Sequence, residues 1–530
     1  MSGNEAMARF AHTKLDIAIV GGGASGCYCA DRLSEAHPGA AIALFEASPR
    51  FGGRLWSKRL HGFESAVLEL GGMFFCDAHE NVAGLAERLQ LARKPVHWRH
   101  KHEYLRGRIL NEEMYARPNA IPYQLGPNER GKNPRELILH ALTQIVPDLA
   151  ELWPFTKSGR WGAPEAAAHY LRELRWGDHA IWECGFWNVL DEAIGNEALE
   201  LIAATHGSAA AFRNANAYDA ITTLMWEAHP GQRHYMLSEG YQRLALALKQ
   251  RCEHAVAFVD QRKLMRVTTL REGFRLHFEG PEGEESVEAA AVILALPKRA
   301  IERLAMDEAL VDRNFYDDLA AVWSVPACRA YLIFERPWWN DAAHSARHAA
   351  GADIAAAFTD QPLRQCYYFN NPLADGHGLL MTAFADDVAA SFWTGLRSEA
   401  RLARCDGQSC DGHCDESLAS QALIATARRQ LQRLHPDESI EPPISAWFVD
   451  WSAEPHGGGW HAWAPLVRSW EVRERIRQPN PRLRFYICGE AFATPQGWVE
   501  GAINNTEVML EKNFDVPRPS WVRQDYQFET

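Results

Sequence analysis

A buried strand that runs straight into three spaced glycines narrows the folds open to this chain more than anything else in it. Leu15 to Val20 (LDIAIV) is an apolar, β-branched run, the pattern of a strand covered on both faces of a parallel sheet. Gly21, Gly23 and Gly26 break it and open a helical stretch over Ala24 to about Glu35, with Cys27, Ala30 and Leu33 on one face. Ala41 to Phe45 (AIALF) then reads as the next strand, which completes a βαβ unit. In such a unit Gly21 permits the tight turn, Gly23 lets a pyrophosphate approach the backbone, and Gly26 allows the helix to pack closely on the strand. The helix start turns its unpaired N–H groups and positive dipole end toward the phosphates. Glu46 follows Gly21 by 25 residues and ends the second strand, where a carboxylate can accept from ribose hydroxyls. These residues specify a dinucleotide but do not separate nicotinamide from flavin cofactors.

A single core stops growing at roughly 250–300 residues, so 530 residues with 47% hydrophobic content imply two domains. A net charge of -13 argues against a nucleic-acid surface, which needs clustered Lys and Arg. Met1 to Val20 shows no apolar run between a basic start and a small-residue cleavage site, and no stretch of about 18 apolar residues occurs. A cytoplasmic protein with no transmembrane segment is expected. The Cys residues are scattered, so no disulfide framework is indicated, and Cys27 and Cys29 read as helix packing. Cys405, Cys410 and Cys414, set among Asp406, Asp411, His413 and Asp415, fit no zinc spacing and read as a polar loop; no metal is expected. His97 to Arg108 (HWRHKHEYLRGR) reads as a solvated face ending in a hairpin turn.

Further strands are read at Ala290 to Leu296, behind a polar hairpin turn at Gly280 to Glu285, and at Leu483 to Cys488; Gly501 to Lys512 reads as a helix. Directly after Glu46 comes Pro49-Arg50-Phe51-Gly52-Gly53-Arg54, where glycines bring the chain close to a cofactor and Arg54 can pair with phosphate. Glu69-Leu70-Gly71-Gly72-Met73-Phe74 offers a second glycine pair ahead of apolar side chains. The C-terminal part carries Gly489-Glu490-Ala491-Phe492 and then Gly497-Trp498-Val499-Glu500-Gly501-Ala502. A helix opening at Val499 would present unpaired N–H donors to the edge of a cofactor that becomes negative on reduction.

With these blocks in this order the sequence resembles the flavin-containing amine oxidase family, which includes monoamine, polyamine and L-amino-acid oxidases. The resemblance spans most of the chain. It implies an α/β fold in which a Rossmann-type FAD-binding domain, discontinuous over 12–90, 240–305 and 465–515, is interleaved with an α+β substrate-binding domain over 91–239 and 306–464. It assigns cofactor contacts to Gly21, Gly23, Ser25, Gly26, Glu46, Gly53, Arg54, Gly71, Gly72, Met73, Phe74, Leu264, Trp451, Gly489, Glu490, Trp498 and Val499. Glu490 matches the residue that holds the ribitol chain, and Trp460 and Trp498 match a paired aromatic wall that aligns the substrate with flavin N5. His461, beside Trp460, is a candidate for substrate contact. The family cysteine that bonds the flavin covalently is replaced by Gly459, so FAD is expected to be non-covalent.

The implied reaction is hydride transfer from an amine-bearing carbon to the flavin, with O2 as electron acceptor. An L-amino acid with a large or aromatic side chain is the expected substrate, ahead of a simple amine or polyamine, and association into a homo-oligomer is left open. Two departures bear on this. Many L-amino-acid oxidases follow the second glycine pair with Met-Arg, whose guanidinium clamps the substrate carboxylate, whereas this chain has Met73-Phe74. The family lysine that holds a water near N5 has no clear match after Leu296, where Lys298 comes early and Arg303 stands near the expected place. Rival readings on the same fold are a decarboxylating amino-acid monooxygenase and a carbon–carbon desaturase; a flavin-binding regulatory protein is the non-enzymatic one.

Overall fold

The computed structural model describes residues 7, 10, 13–60, 63–117, 119–152, 164–207, 214–227, 232–339, 352–370, 373, 375–397, 418–453 and 457–529. Cys405, Cys410 and Cys414 lie outside these. Leu15–Val20 is the hub of an eight-stranded sheet. It runs parallel to Ile42–Phe45 on one side and to residues 289–294 of the long strand Gly283–Leu294 on the other. Val256–Val259 extends the parallel part beyond Ile42–Phe45, and Phe485–Ile487 extends it beyond Gly283–Leu294. The first half of Gly283–Leu294 pairs antiparallel with Phe274–Gly280, so the polar turn is a tight hairpin with Gly280 opposite Gly283.

Alternation along these strands feeds two cores. Ile17, Ile19, Leu44 and Ile293 pack under the helices Ala24–Ala36, Arg243–Cys252 and Val499–Phe514. Ala18, Val20, Phe45 and Val292 face the opposite way, onto Phe274, Leu276 and Phe278. This explains why Ile17 to Val20 is continuously apolar, while Asp16 near the strand's start is exposed.

A nine-stranded sheet forms the second layer, in the order Ser445–Asp450, Ala327–Phe334, Gly378–Asp386, Gln365–Phe369, Ala352–Thr359, Arg93–Leu105, His234–Leu237 and Phe75–Cys76, with Arg108–Leu110 beside Arg93–Leu105. The hairpin turn at Arg106-Gly107 is present, and Trp98, His100 and Arg106 to Arg108 are exposed, but the solvated-face expectation for His97 to Arg108 does not hold for the whole stretch. Arg93–Leu105 is an interior strand, parallel to Ala352–Thr359 and antiparallel to His234–Leu237, and Glu103 and Leu105 are buried. Its parallel partner lies some 250 residues away (97 against 353), beyond what local pattern can reveal. A helical cluster including Pro134–Ile145, Phe186–Ala193, Asn196–Thr205 and Ala217–Glu227 has its own apolar core. Cys27 and Cys29 are buried free thiols in helix packing. Among the described residues no helix is long and apolar enough to cross a membrane, and no group of His, Cys, Asp and Glu could hold a metal ion.

The closest joint in the first sheet is between Gly26 and Gly21: a Cβ on Gly26 would sit 1.8 Å from the Gly21 carbonyl oxygen, against backbone that cannot swing away. Gly26→Ala should therefore lower stability by about 3 kcal/mol, the upper end of ordinary overpacking. Gly395→Ala, where the nearest atom lies 3.5 Å away, should stay within roughly 0.5 kcal/mol of the parent. Thermal denaturation of the two variants checks this, and an unchanged midpoint for Gly26→Ala would contradict it.

Candidate functional site

Both helix starts that the sequence singles out open into one cavity of about 1140 Å³. Ala24–Ala36 begins behind Gly23 and Val499–Phe514 behind Trp498, and neither start is capped by a side chain. Their first N–H groups are therefore available to an anionic or polar ligand. Glu500, which could have answered its own helix dipole, turns away and accepts from the backbone N–H groups of Asn81 and Val82, both at 2.8 Å.

At one end of the cavity stands Glu46. Its Oε2 accepts from Gly22 N–H at 2.6 Å, and its Oε1 from Ser48 N–H at 2.8 Å and Ser48 Oγ at 2.9 Å. A carboxylate has about four acceptor positions, so room for another donor remains. Gly23 is informative by what it lacks: a Cβ there would meet nothing closer than 3.8 Å, although the backbone has an ordinary negative φ. Protein packing does not require this glycine, whereas a ligand lying on the backbone would. A Cβ on Gly53, at φ +55, would come within 2.9 Å of the Gly23 Cα.

The middle of the cavity is organised by Glu490. Its Oε2 accepts from Arg54 Nη1 at 2.5 Å and is 2.7 Å from His461 Nδ1, while its Oε1 accepts from the backbone N–H groups of His461 at 3.1 Å and Gly497 at 2.8 Å. Burial pushes this carboxyl up, but Arg54 and then His461 outweigh it and hold Glu490 far below the usual carboxylate range. Arg54 Nη1 also donates to the Gly459 carbonyl at 3.0 Å. The His461 imidazole is fully buried, and its Nε2 has no partner among the described residues. Trp460 and Trp498 both line the cavity; Gly497 lies on the face of Trp460, and His79 meets the Trp498 ring edge-on at 4.8 Å. Trp451 donates its indole N–H to the Leu70 carbonyl at 2.7 Å, and a Cβ on Gly71 would strike the Arg54 carbonyl at 1.8 Å.

Of the residues assigned from sequence, Gly21, Gly23, Ser25, Glu46, Gly53, Arg54, Gly71, Gly72, Met73, Phe74, Leu264, Trp451, Gly489, Glu490, Trp460, His461, Trp498 and Val499 all line this cavity. Gly26 does not; it packs against Gly21 from behind. Arg303 reaches the cavity wall, and Lys298 pairs with Glu302 at 3.0 Å.

The far end is aromatic. Phe74 packs edge-on against Trp98 at 5.3 Å and His234 at 5.6 Å, and Trp98 against Tyr367 at 5.4 Å. Burial holds the His234 imidazole below its ordinary value. Phe384 lies beside them, beneath the Arg329 guanidinium at 4.4 Å. Trp98, Tyr367, Phe384 and Arg329 escaped sequence reading because they come from four separate strands. For Arg329 a signal existed: it is the one charged residue in Ala327–Phe334 (ACRAYLIF), a strand whose eight residues are all buried.

The fit to a flavin dinucleotide rests on the gap beside Gly23, the uncapped helix starts and the volume of the cavity, about 1140 Å³. Comparisons with known proteins agree. The sequence profile of the family described as flavin containing amine oxidoreductase matches residues 24–411 and 406–505. Aplysianin-A of Aplysia kurodai is 25% identical over 94% of this chain and 90% of its own. An L-amino-acid oxidase of Mus musculus is 23% identical over 92% of this chain and 69% of its own. The fold is shared with wild-type putrescine oxidase bound to putrescine, at a TM-score of 0.62 and 18% identity over 94% of this chain and 99% of that one. The chain belongs to the flavin containing amine oxidoreductase family and is a flavin-dependent oxidase acting on CH–NH2 groups.

Proposed function

We propose that the protein oxidises an L-α-amino acid with a large or aromatic side chain, consuming O2 and water and releasing a 2-oxo acid, ammonia and hydrogen peroxide. The observation that carries this reading is the aromatic end of the cavity, where Phe74, Trp98 and Tyr367 form a pocket suited to a flat apolar side chain. The likeness to proteins named L-amino-acid oxidase supports it. FAD, when bound, supplies the hydride acceptor and returns the electrons to O2. The chain supplies position and charge. Trp460 and Trp498 flank the reacting end, and Glu46 takes the adenosine ribose. The Ala24–Ala36 helix start takes the pyrophosphate, and the Val499–Phe514 helix start takes the pole that becomes negative on reduction. His461 acts through Glu490 as a positioning residue, because its Nδ1 is committed to that carboxylate. A simple amine is the second reading, favoured by Phe74, which cannot pair with a carboxylate.

A peroxide assay comparing L-phenylalanine with phenethylamine isolates the carboxylate, since the compounds differ by that group. Turnover of L-phenylalanine with little from phenethylamine is expected; the reverse, across a panel of amines and amino acids, would make this an amine oxidase. FAD is held without a covalent bond in this reading, with Gly459 where a linking cysteine would stand, so acid precipitation should leave the yellow colour in the supernatant. Colour kept in the pellet would contradict it.

Two substitutions test the cofactor assignments. Glu46→Ala removes charge-assisted bonds worth roughly 1.5–3 kcal/mol each, so purified protein should lose FAD on dialysis; full occupancy would count against the ribose role. Glu490→Gln leaves Arg54 and His461 without their counter-charge, which costs about 3 kcal/mol in a buried pair, and flavin occupancy should drop. The pH dependence follows in sign. A carboxyl held low in the folded state contributes stability that is complete above its unfolded value, near 4.3, and is lost on further acidification. Flavin release through Glu490 should thus begin below about pH 4.5 in the parent; release that titrates between pH 6 and 8 and vanishes in Glu490→Gln would overturn the assignment.

A further inference from the structure

An amino-acid substrate brings a carboxylate into the cavity, and Phe74 offers it nothing. Arg329 does. It stands in Ala327–Phe334 and lines the cavity, its guanidinium over the Phe384 ring and its Nη1 donating to the Glu69 carbonyl at 2.8 Å. Arginine keeps its charge at any depth. Yet among the described residues no carboxylate stands within ion-pair distance of it. Glu69, the acid in its field, accepts instead from Ser57 Oγ at 2.6 Å and Tyr241 N–H at 2.7 Å. A buried charge without a counter-ion is costly, so this guanidinium is suited to an anion that arrives with the ligand.

Its position identifies which anion. The phosphates of the dinucleotide have the helix start behind Gly23. Arg329 instead sits between the backbone that leads into Gly71 and Gly72 and the aromatic end, with Tyr367 inside its field. We propose that Arg329 binds the carboxylate of the substrate, in the role that position 74 has given up; this rests on the amino-acid reading above. A substrate with its side chain among Phe74, Trp98 and Tyr367 would then be fixed at two ends, which favours compounds that carry the carboxylate over those that lack it.

The test uses flavin-loaded enzyme and two halves of phenylalanine. 3-Phenylpropionate keeps the carboxylate without the amine, and phenethylamine keeps the amine without the carboxylate; binding of each is read from the change in the flavin absorbance spectrum. Arg329→Gln should weaken 3-phenylpropionate on the order of 10²- to 10³-fold and leave phenethylamine nearly unchanged. Arg329→Lys, which keeps the charge and guards against a folding defect, should recover part of the loss. Equal weakening of both ligands, or of neither, in both variants would overturn the proposal while leaving the amino-acid reading standing if the parent still oxidises L-phenylalanine. A parent that oxidises phenethylamine and no amino acid would remove both.

Discussion

The carboxylate of Glu490 is buried where its charge could survive only with every acceptor position occupied, and the chain meets that demand from three directions. Arg54 comes from the first βαβ extension, His461 from the short strand Trp460–Trp463, and Gly497 from the loop ahead of the last helix. Filling these positions draws segments more than 400 residues apart (54 against 490) into one wall. Without that closure, the two helix starts would not open into the same cavity, and Trp460 and Trp498 would not share it. The four donors also leave Glu490 little capacity to bind anything further, so its influence on a ligand runs through the groups it holds.

Charge is distributed unevenly over the cavity wall. An acceptor, Glu46, stands at one end, uncapped helix starts lie along the middle, and a guanidinium meets an aromatic cluster at the other. Glu69 lies behind that far end, its carboxyl pushed up to about 7 chiefly by burial. A group raised in this way binds its proton more readily in the folded state and so disfavours folding as pH rises from about 4.5 to 7. The fold retains it because it accepts from Ser57 and Tyr241 and its backbone anchors Arg329.

The cofactor half was legible in the sequence because its determinants are local. Strand, glycine turn, helix and acidic strand end follow one another within Leu15 to Glu46. Gly497 and Trp498 were legible for the same reason, at the start of an uninterrupted helix. The substrate half was less so. Trp98 sits in a strand that pattern alone assigns to solvent, and only pairing with Ala352–Thr359 places it on the cavity wall. Arg329 carries a signal that a period-two reading passes over, a single charge inside an apolar strand. Glu490 was recognised, but its saturation by four donors is a property of loop closure that no spacing encodes.

The central claim is that this cavity brings an amine-bearing carbon to a bound flavin for oxidation. Anaerobic mixing of the purified, flavin-loaded protein with L-phenylalanine tests it most directly. The account predicts that the oxidised flavin bands bleach with one equivalent of substrate and return when O2 is admitted. Bands that remain unchanged with L-phenylalanine, with a broad set of other amino acids and with amines would contradict it.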